Sequence, residues 1–276
     1  MNDWGVKCDS VLTAWYPPTV GKASSNVADF SIRTNLNLLV SNTSGMVPVE
    51  GPSGAGKSTI LAAIAGIKEI SAGNIEWRFP DGRFRRWDNG STQMKGDVSI
   101  SELRSRYFGF AFQEHTLLPH LSILQNLELP LKLQKLSRSI IRKKIKHHLE
   151  STFDQPNHID FCLRKNTFPN QLSLGMKKRI ALLQAWIHDP NVLFADEPTA
   201  DLDDGNRVQV ISSIKQWIEE SKSQRLFVWI THNTDELGIS EYPTKLIVAD
   251  GSANLEVYSN TINFPEKNTS SFTLET

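Results

Sequence analysis

Gly51-Pro52-Ser53-Gly54-Ala55-Gly56-Lys57-Ser58-Thr59 decides how this chain reads, because it fills the spacing G-x-x-x-x-G-K-[ST] completely. Glycines at 51, 54 and 56 allow backbone to approach an anion closely, with successive N–H groups turned inward. A helix that starts on such a loop adds the partial positive charge of its N-terminus. Lys57 supplies a mobile ammonium that can reach β- and γ-phosphates, and the Ser58 hydroxyl falls where such a loop places a Mg²⁺ ligand. Met46-Val47-Pro48-Val49-Glu50 reads as a short apolar strand before the loop, and Ile60-Leu61-Ala62-Ala63-Ile64-Ala65-Gly66-Ile67 as a helix after it. Strand, loop and helix in that order favour phosphate chemistry over a stray glycine turn.

Composition narrows the remaining classes. The 276 residues include 39% hydrophobic ones, enough for a folded core, and 30 basic residues balance 30 acidic ones. A neutral chain has no global field to gather nucleic acid, so nucleic acid is not expected as a partner. Cys8 and Cys162 are too far apart for a zinc-type pair. The first residues lack a basic start and an apolar core, and no apolar run approaches the ~20 residues of a membrane span. The expectation is a cytoplasmic protein whose membrane role needs a partner.

Along the chain, Ser10–Tyr16, Phe30–Ile32 and Leu36–Val40 read as strands of an antiparallel β-subdomain. Trp15 or Tyr16 could stack on an adenine ring, and packing within the strand is an equal alternative. Ile75–Phe79, a Pro80-Asp81-Gly82 turn and Phe84–Trp87 read as a hairpin, whose Arg and Trp interleaving fits a solvated face better than base stacking. Ile141, Ile145 and Leu149 recur at four-residue spacing opposite Arg142, Lys143, Lys144 and Lys146, the pattern of an amphipathic helix with a solvated basic face. A further helix is expected from near Ser173 to His188, then a strand at Val192–Ala195, a helix over Val208–Glu220, a strand at Leu226–Ile230 and a final strand pair around the Asp250-Gly251 turn.

Several of these apolar strands end on a polar residue, as happens when the carboxyl ends of a parallel sheet line one crevice. Asp196 fits the acid that holds the Mg²⁺ shell, and Glu197 beside it fits a base that takes a proton from an attacking water. Gln113 would stand near metal and water, and His232 would hydrogen-bond the γ-phosphate and orient Glu197.

Taken together, the loop at 51–59, Phe110-Ala111-Phe112-Gln113, Leu172-Ser173-Leu174-Gly175-Met176, Leu193-Phe194-Ala195-Asp196-Glu197-Pro198-Thr199, Ala200-Asp201-Leu202-Asp203 and Ile230-Thr231-His232 resemble an ATP-binding-cassette (ABC) ATPase subunit over residues 10 to 258. The run from Leu117 to Leu131 further resembles the branch of lipoprotein release, macrolide efflux and FtsE-type complexes. The resemblance implies an α/β fold, a P-loop NTPase parallel-sheet core with an antiparallel β-subdomain and a helical signature subdomain. It implies one nucleotide-binding domain over residues 1–260, with its helical part at about 114–180, and a polar tail at 261–276. It implies ATP and Mg²⁺, a transmembrane permease, a position at the inner face of the membrane through that permease, and a second cassette subunit, a homodimer ahead of a heterodimer. Two ATPs would be sandwiched, each between one subunit's residues 51–59 and the other's Ser173 and Gly175.

The signature segment departs from the usual Leu-Ser-Gly-Gly-Gln at Leu174 and Met176, which adds a branched side chain and removes an amide. Weaker closure, or a better-endowed partner, is the expected consequence. The longer hairpin at Arg83–Lys95 is a second departure. The alternative function is a regulatory ABC ATPase that transmits force without moving a substrate.

Overall fold

The computed structural model describes residues 3–15, 30–89, 95–112, 117–153, 155–200, 202–221, 224–231 and 243–257. Among the described residues, eleven strands form one sheet: β1 (Gly5–Trp15), β2 (Phe30–Leu39), β3 (Met46–Glu50), β4 (Ala72–Arg78), β5 (Phe84–Asp88), β6 (Lys95–Gly96), β7 (Phe108–Ala111), β8 (Val192–Asp196), β9 (Leu226–Ile230), β10 (Thr244–Ala249) and β11 (Ser252–Val257). The α-helices among the described residues are α1 (Lys57–Ile64), α2 (Ile100–Glu102), α3 (Ile123–Leu133), α4 (Arg138–Thr152), α5 (Pro156–Leu163), α6 (Leu174–Trp186) and α7 (Asp204–Glu219).

The strand order is β6-β5-β4-β1-β2-β11-β10-β3-β9-β8-β7. Strands β10, β3, β9, β8 and β7 pair parallel, whereas β2, β1, β4, β5 and β6 pair antiparallel, so the sheet has a parallel core and an antiparallel limb. The expected pair of strands around Phe30–Ile32 and Leu36–Val40 is a single strand, β2. Its alternation continues unbroken, with Ile32, Thr34, Leu36 and Leu38 buried and Arg33, Asn35 and Asn37 exposed, and nothing between them turns the chain.

The parallel core is covered on both faces. Val192 and Phe194 of β8, with Leu226, Val228 and Ile230 of β9, pack in one core with Ile60, Leu61 and Ile64 of α1. Their alternates Leu193, Ala195, Phe227 and Trp229 pack in the other core, under α3 to α7. That is why these strands read as continuous apolar runs rather than alternating ones. The limb is tied to α1 by Trp77 of β4, whose indole N–H donates to the Ile64 carbonyl at 2.8 Å, satisfying one of the orphan acceptors at the end of that helix.

The helical layer is locked by buried polar groups. Pro130 sits inside α3 and has no N–H to give the Asn126 carbonyl; Gln184 of α6 donates there instead, at 3.0 Å. The Asn126 amide fastens the preceding turn through Leu118 and Leu121. On α4 the stripe Ile141, Ile145 and Leu149 is buried and Arg142, Lys143 and Lys146 are exposed. Lys144 corrects the expectation of a wholly solvated basic face: it is half-buried and ion-paired with Asp189, which Arg225 also holds at 3.0 Å. In the hairpin, Arg83 grips Glu102 at 2.6 Å, Arg85 donates to the Val98 carbonyl at 2.9 Å and Arg86 pairs with Asp88 at 3.0 Å. The arginines expected on a solvated face instead hold the hairpin to its own chain, and Arg85 is buried.

Candidate functional site

Strand β3 delivers the chain to the loop through Glu50, whose carboxylate pairs with Lys245 of β10 at 3.2 Å. Gly51 follows at φ 146°, and a Cβ there would lie 2.0 Å from the Val248 carbonyl oxygen, so no other residue fits between β3 and β10. Pro52, Ser53 and Gly54 are exposed, while the half-buried Ala55 donates its N–H to the Pro52 carbonyl at 3.2 Å. Gly56 takes φ 91° just before α1, and no side chain caps that helix. The N–H groups of its first turn are therefore left to a ligand or solvent, which fits an anion.

Lys57 opens α1 and is only 5% exposed. Its Nζ donates to the carbonyls of Gly51 and Pro52, both at 2.8 Å, which leaves one N–H of the ammonium for another acceptor. Burial pushes its pKa below the usual 10.5, and the carboxylates of Glu197 and Asp196 pull it back up. The fold thus brings the end of β8 to the start of α1. Ser58 is exposed and Thr59 half-buried on the same first turn.

Asp196 is half-buried as the last residue of β8, in register with Ile230 of β9. Glu197 turns the chain at φ 50°, a left-handed conformation that costs a non-glycine residue about 1 kcal/mol, and its N–H donates to the Ile230 carbonyl at 3.1 Å. It lines a cleft with Phe112, Pro198 and Lys178 of α6. Among the described residues no group of three or more His, Cys, Asp or Glu could hold a metal ion. One carboxylate and one hydroxyl instead suit Mg²⁺, which takes its other ligands from substrate phosphates and water.

Ser173 and Gly175 stand at the start of α6. Ser173 is exposed and caps the helix, its hydroxyl accepting from the Met176 N–H at 3.3 Å. Leu174 is 45% exposed. Gly175 is buried, and a Cβ there would come within 2.9 Å of the Asn206 side chain on α7. Gln113, His232, Tyr16 and Asp201 lie outside the described residues; the chain is described up to Phe112 after β7 and to Thr231 after β9. Sequence reasoning missed Asn206, Lys178 and the Glu50–Lys245 pair. Lys245 beside an apolar strand was a legible signal, but contacts made by α7 and α6 were not.

A family model described as ABC transporter matches residues 35–200, more than half of the chain. The probable sulfate/thiosulfate import ATP-binding protein CysA of Chlorella vulgaris is 34% identical over 217 residues, covering 77% of this chain and 79% of that protein. The lipoprotein-releasing system ATP-binding protein LolD of Treponema denticola is 29% identical over 240 residues, covering 86% and 95%. A solved dimer of the bacterial ABC transporter cassette MJ0796 superposes with a TM-score of 0.67 at 25% identity, covering 92% of this chain and 99% of that one. Because the matched span holds the loop, the start of α6 and the end of β8, the chain belongs to the ABC transporter family, the ATP-hydrolysing cassettes.

Proposed function

We propose that this chain is the ATP-hydrolysing subunit of a membrane transporter, working on a separate permease through ATP-dependent dimerisation, in the branch that includes lipoprotein release. The near end-to-end match to LolD supports the branch, and the solved cassette dimer supports the pairing. The observation that most supports the chemistry is Lys57, buried at the loop in the field of both Asp196 and Glu197. Gly51, Pro52, Ser53, Gly54, Ala55, Gly56 and Thr59 would cradle the phosphates, and Lys57 would reach the β- and γ-oxygens. Ser58, Asp196 and Gln113 would hold Mg²⁺, which when bound neutralises charge on those oxygens. Glu197 would take the proton of a water whose oxygen attacks the γ-phosphorus as the bond to the ADP oxygen breaks, while His232 holds the γ-phosphate. Ser173 and Gly175 would face the opposite subunit's ATP, and Tyr16 its own adenine.

Gel filtration of the Glu197→Gln variant with and without Mg-ATP is the test. Turnover should be abolished with ATP binding retained, and the variant should run as a dimer only with Mg-ATP. Retained hydrolysis would refute the role of Glu197, and a monomer that binds ATP would refute the homodimer. Restoring Leu174→Gly and Met176→Gln should raise the turnover of the otherwise unaltered chain.

A further inference from the structure

Charge is balanced over the chain but not along it. Between residues 129 and 147 there are seven Lys or Arg and no Asp or Glu. This stretch is the end of α3, the turn into α4 and the first turns of α4. Lys135 makes the turn at φ 59°, and Gln134 ties it to the body through the Ser105 and His188 carbonyls at 3.1 and 2.9 Å. Three of the cations are spoken for, Lys132 by Glu128 at 2.6 Å, Lys146 by Glu150 at 3.7 Å and Lys144 by Asp189. Lys135, Arg138, Arg142 and Lys143 are exposed and carry no ion pair among the described residues. Beside them, Leu133 is 63% and Ile140 44% exposed, although α4 already buries a full apolar stripe in Ile141, Ile145 and Leu149.

We infer that this helical hairpin is a contact surface for an anionic phospholipid bilayer. Cations attract the headgroups, and Leu133 and Ile140 are the size and chemistry that insert at the headgroup boundary. Exposed apolar side chains on either side of a cationic turn are of no use to a purely charged polymer, which is why the bilayer is favoured over a soluble polyanion. The surface would seat the protein on lipid directly, in addition to any contact with a permease. It shares no residue with those assigned to ATP, so its failure and that of the ATPase reading are separable.

The test is co-sedimentation of the full chain, without nucleotide or permease, with vesicles of phosphatidylcholine alone or with about 30 mol % phosphatidylglycerol. Binding is expected only to the anionic vesicles, falling steeply as salt rises above about 0.1 M. At about fivefold per cation, Lys135→Gln, Arg138→Gln, Arg142→Gln and Lys143→Gln together should weaken it roughly 600-fold. Leu133→Ser with Ile140→Ser should weaken it about tenfold. Both variants should keep wild-type circular dichroism and basal ATP hydrolysis. The wild-type comparison of the two vesicles and its salt dependence need no variant. Protein left in the supernatant with both vesicles overturns the proposal, as does binding indifferent to the four neutralised cations. Binding that ignores Leu133 and Ile140 and is matched by heparin overturns the bilayer in favour of a polyanion.

Discussion

The loop at residues 51–59 and the start of α6 are both glycine-bearing helix N-termini, yet their surroundings differ. The loop is built from its own chain: Gly51 fits against Val248, and Lys57 is held by two loop carbonyls within reach of the field from β8. Its helix has no side-chain cap, so its N–H groups are open. The start of α6 is already capped by Ser173, is packed through Gly175 on Asn206, and presents Leu174 outward. The contrast teaches that two glycine-bearing helix starts can leave different groups open: the first leaves its N–H groups unclaimed beside a buried cation, whereas the second spends one on a side-chain cap and holds Leu174 outward.

The comparison breaks most sharply at Lys57. Lys57→Met should lower ATP hydrolysis at least a hundredfold and weaken nucleotide binding, measured by phosphate release and by titration calorimetry, while unfolding changes little. Gly51→Ala should cost about 3 kcal/mol in denaturant unfolding, since the added methyl meets the Val248 backbone and neither strand can move away.

The far end of α6 sharpens the contrast through pH. His188 is buried and donates its Nε2–H to the Phe108 carbonyl at 3.0 Å; burial pushes its pKa down to about 4 from 6.5. A base depressed in the folded state leaves stability intact above the unfolded value and loses it as pH falls toward the folded one. Unfolding free energy should drop by about 2 kcal/mol between pH 7 and pH 5 through this group, and His188→Gln should flatten that slope. The smallest effect is Gly175→Ala, about 1 kcal/mol, because the atom it meets belongs to a side chain. Asn206 is held by Asp203 at 2.5 Å, so Asn206→Ala should relieve that cost in a double-mutant cycle.

Much of this architecture was legible because local rules and tertiary context agree. The 51–59 spacing, the apolar runs at β8 and β9 and the four-residue stripe of α4 report periodicity and turn chemistry, which are properties of neighbouring residues. Lys144 was misread as solvated because its partner, Asp189, comes from the loop after α6. The β2 strand was read as two because its polar alternates resemble a turn in one dimension and a solvated face in three.

By itself the sequence determined the chemistry at hand: a glycine-rich loop with a lysine, two acids after an apolar strand, and a serine before a helix. Each is a short-range pattern whose meaning survives in any fold that keeps it as strand, loop and helix. Only the tertiary structure decided that Asp196 and Glu197 act on the charge of Lys57 and that Gly175 is packed against Asn206. Those are long-range juxtapositions, set by the order in which the parallel strands pair and by which helix faces cover them, and no local pattern encodes that order.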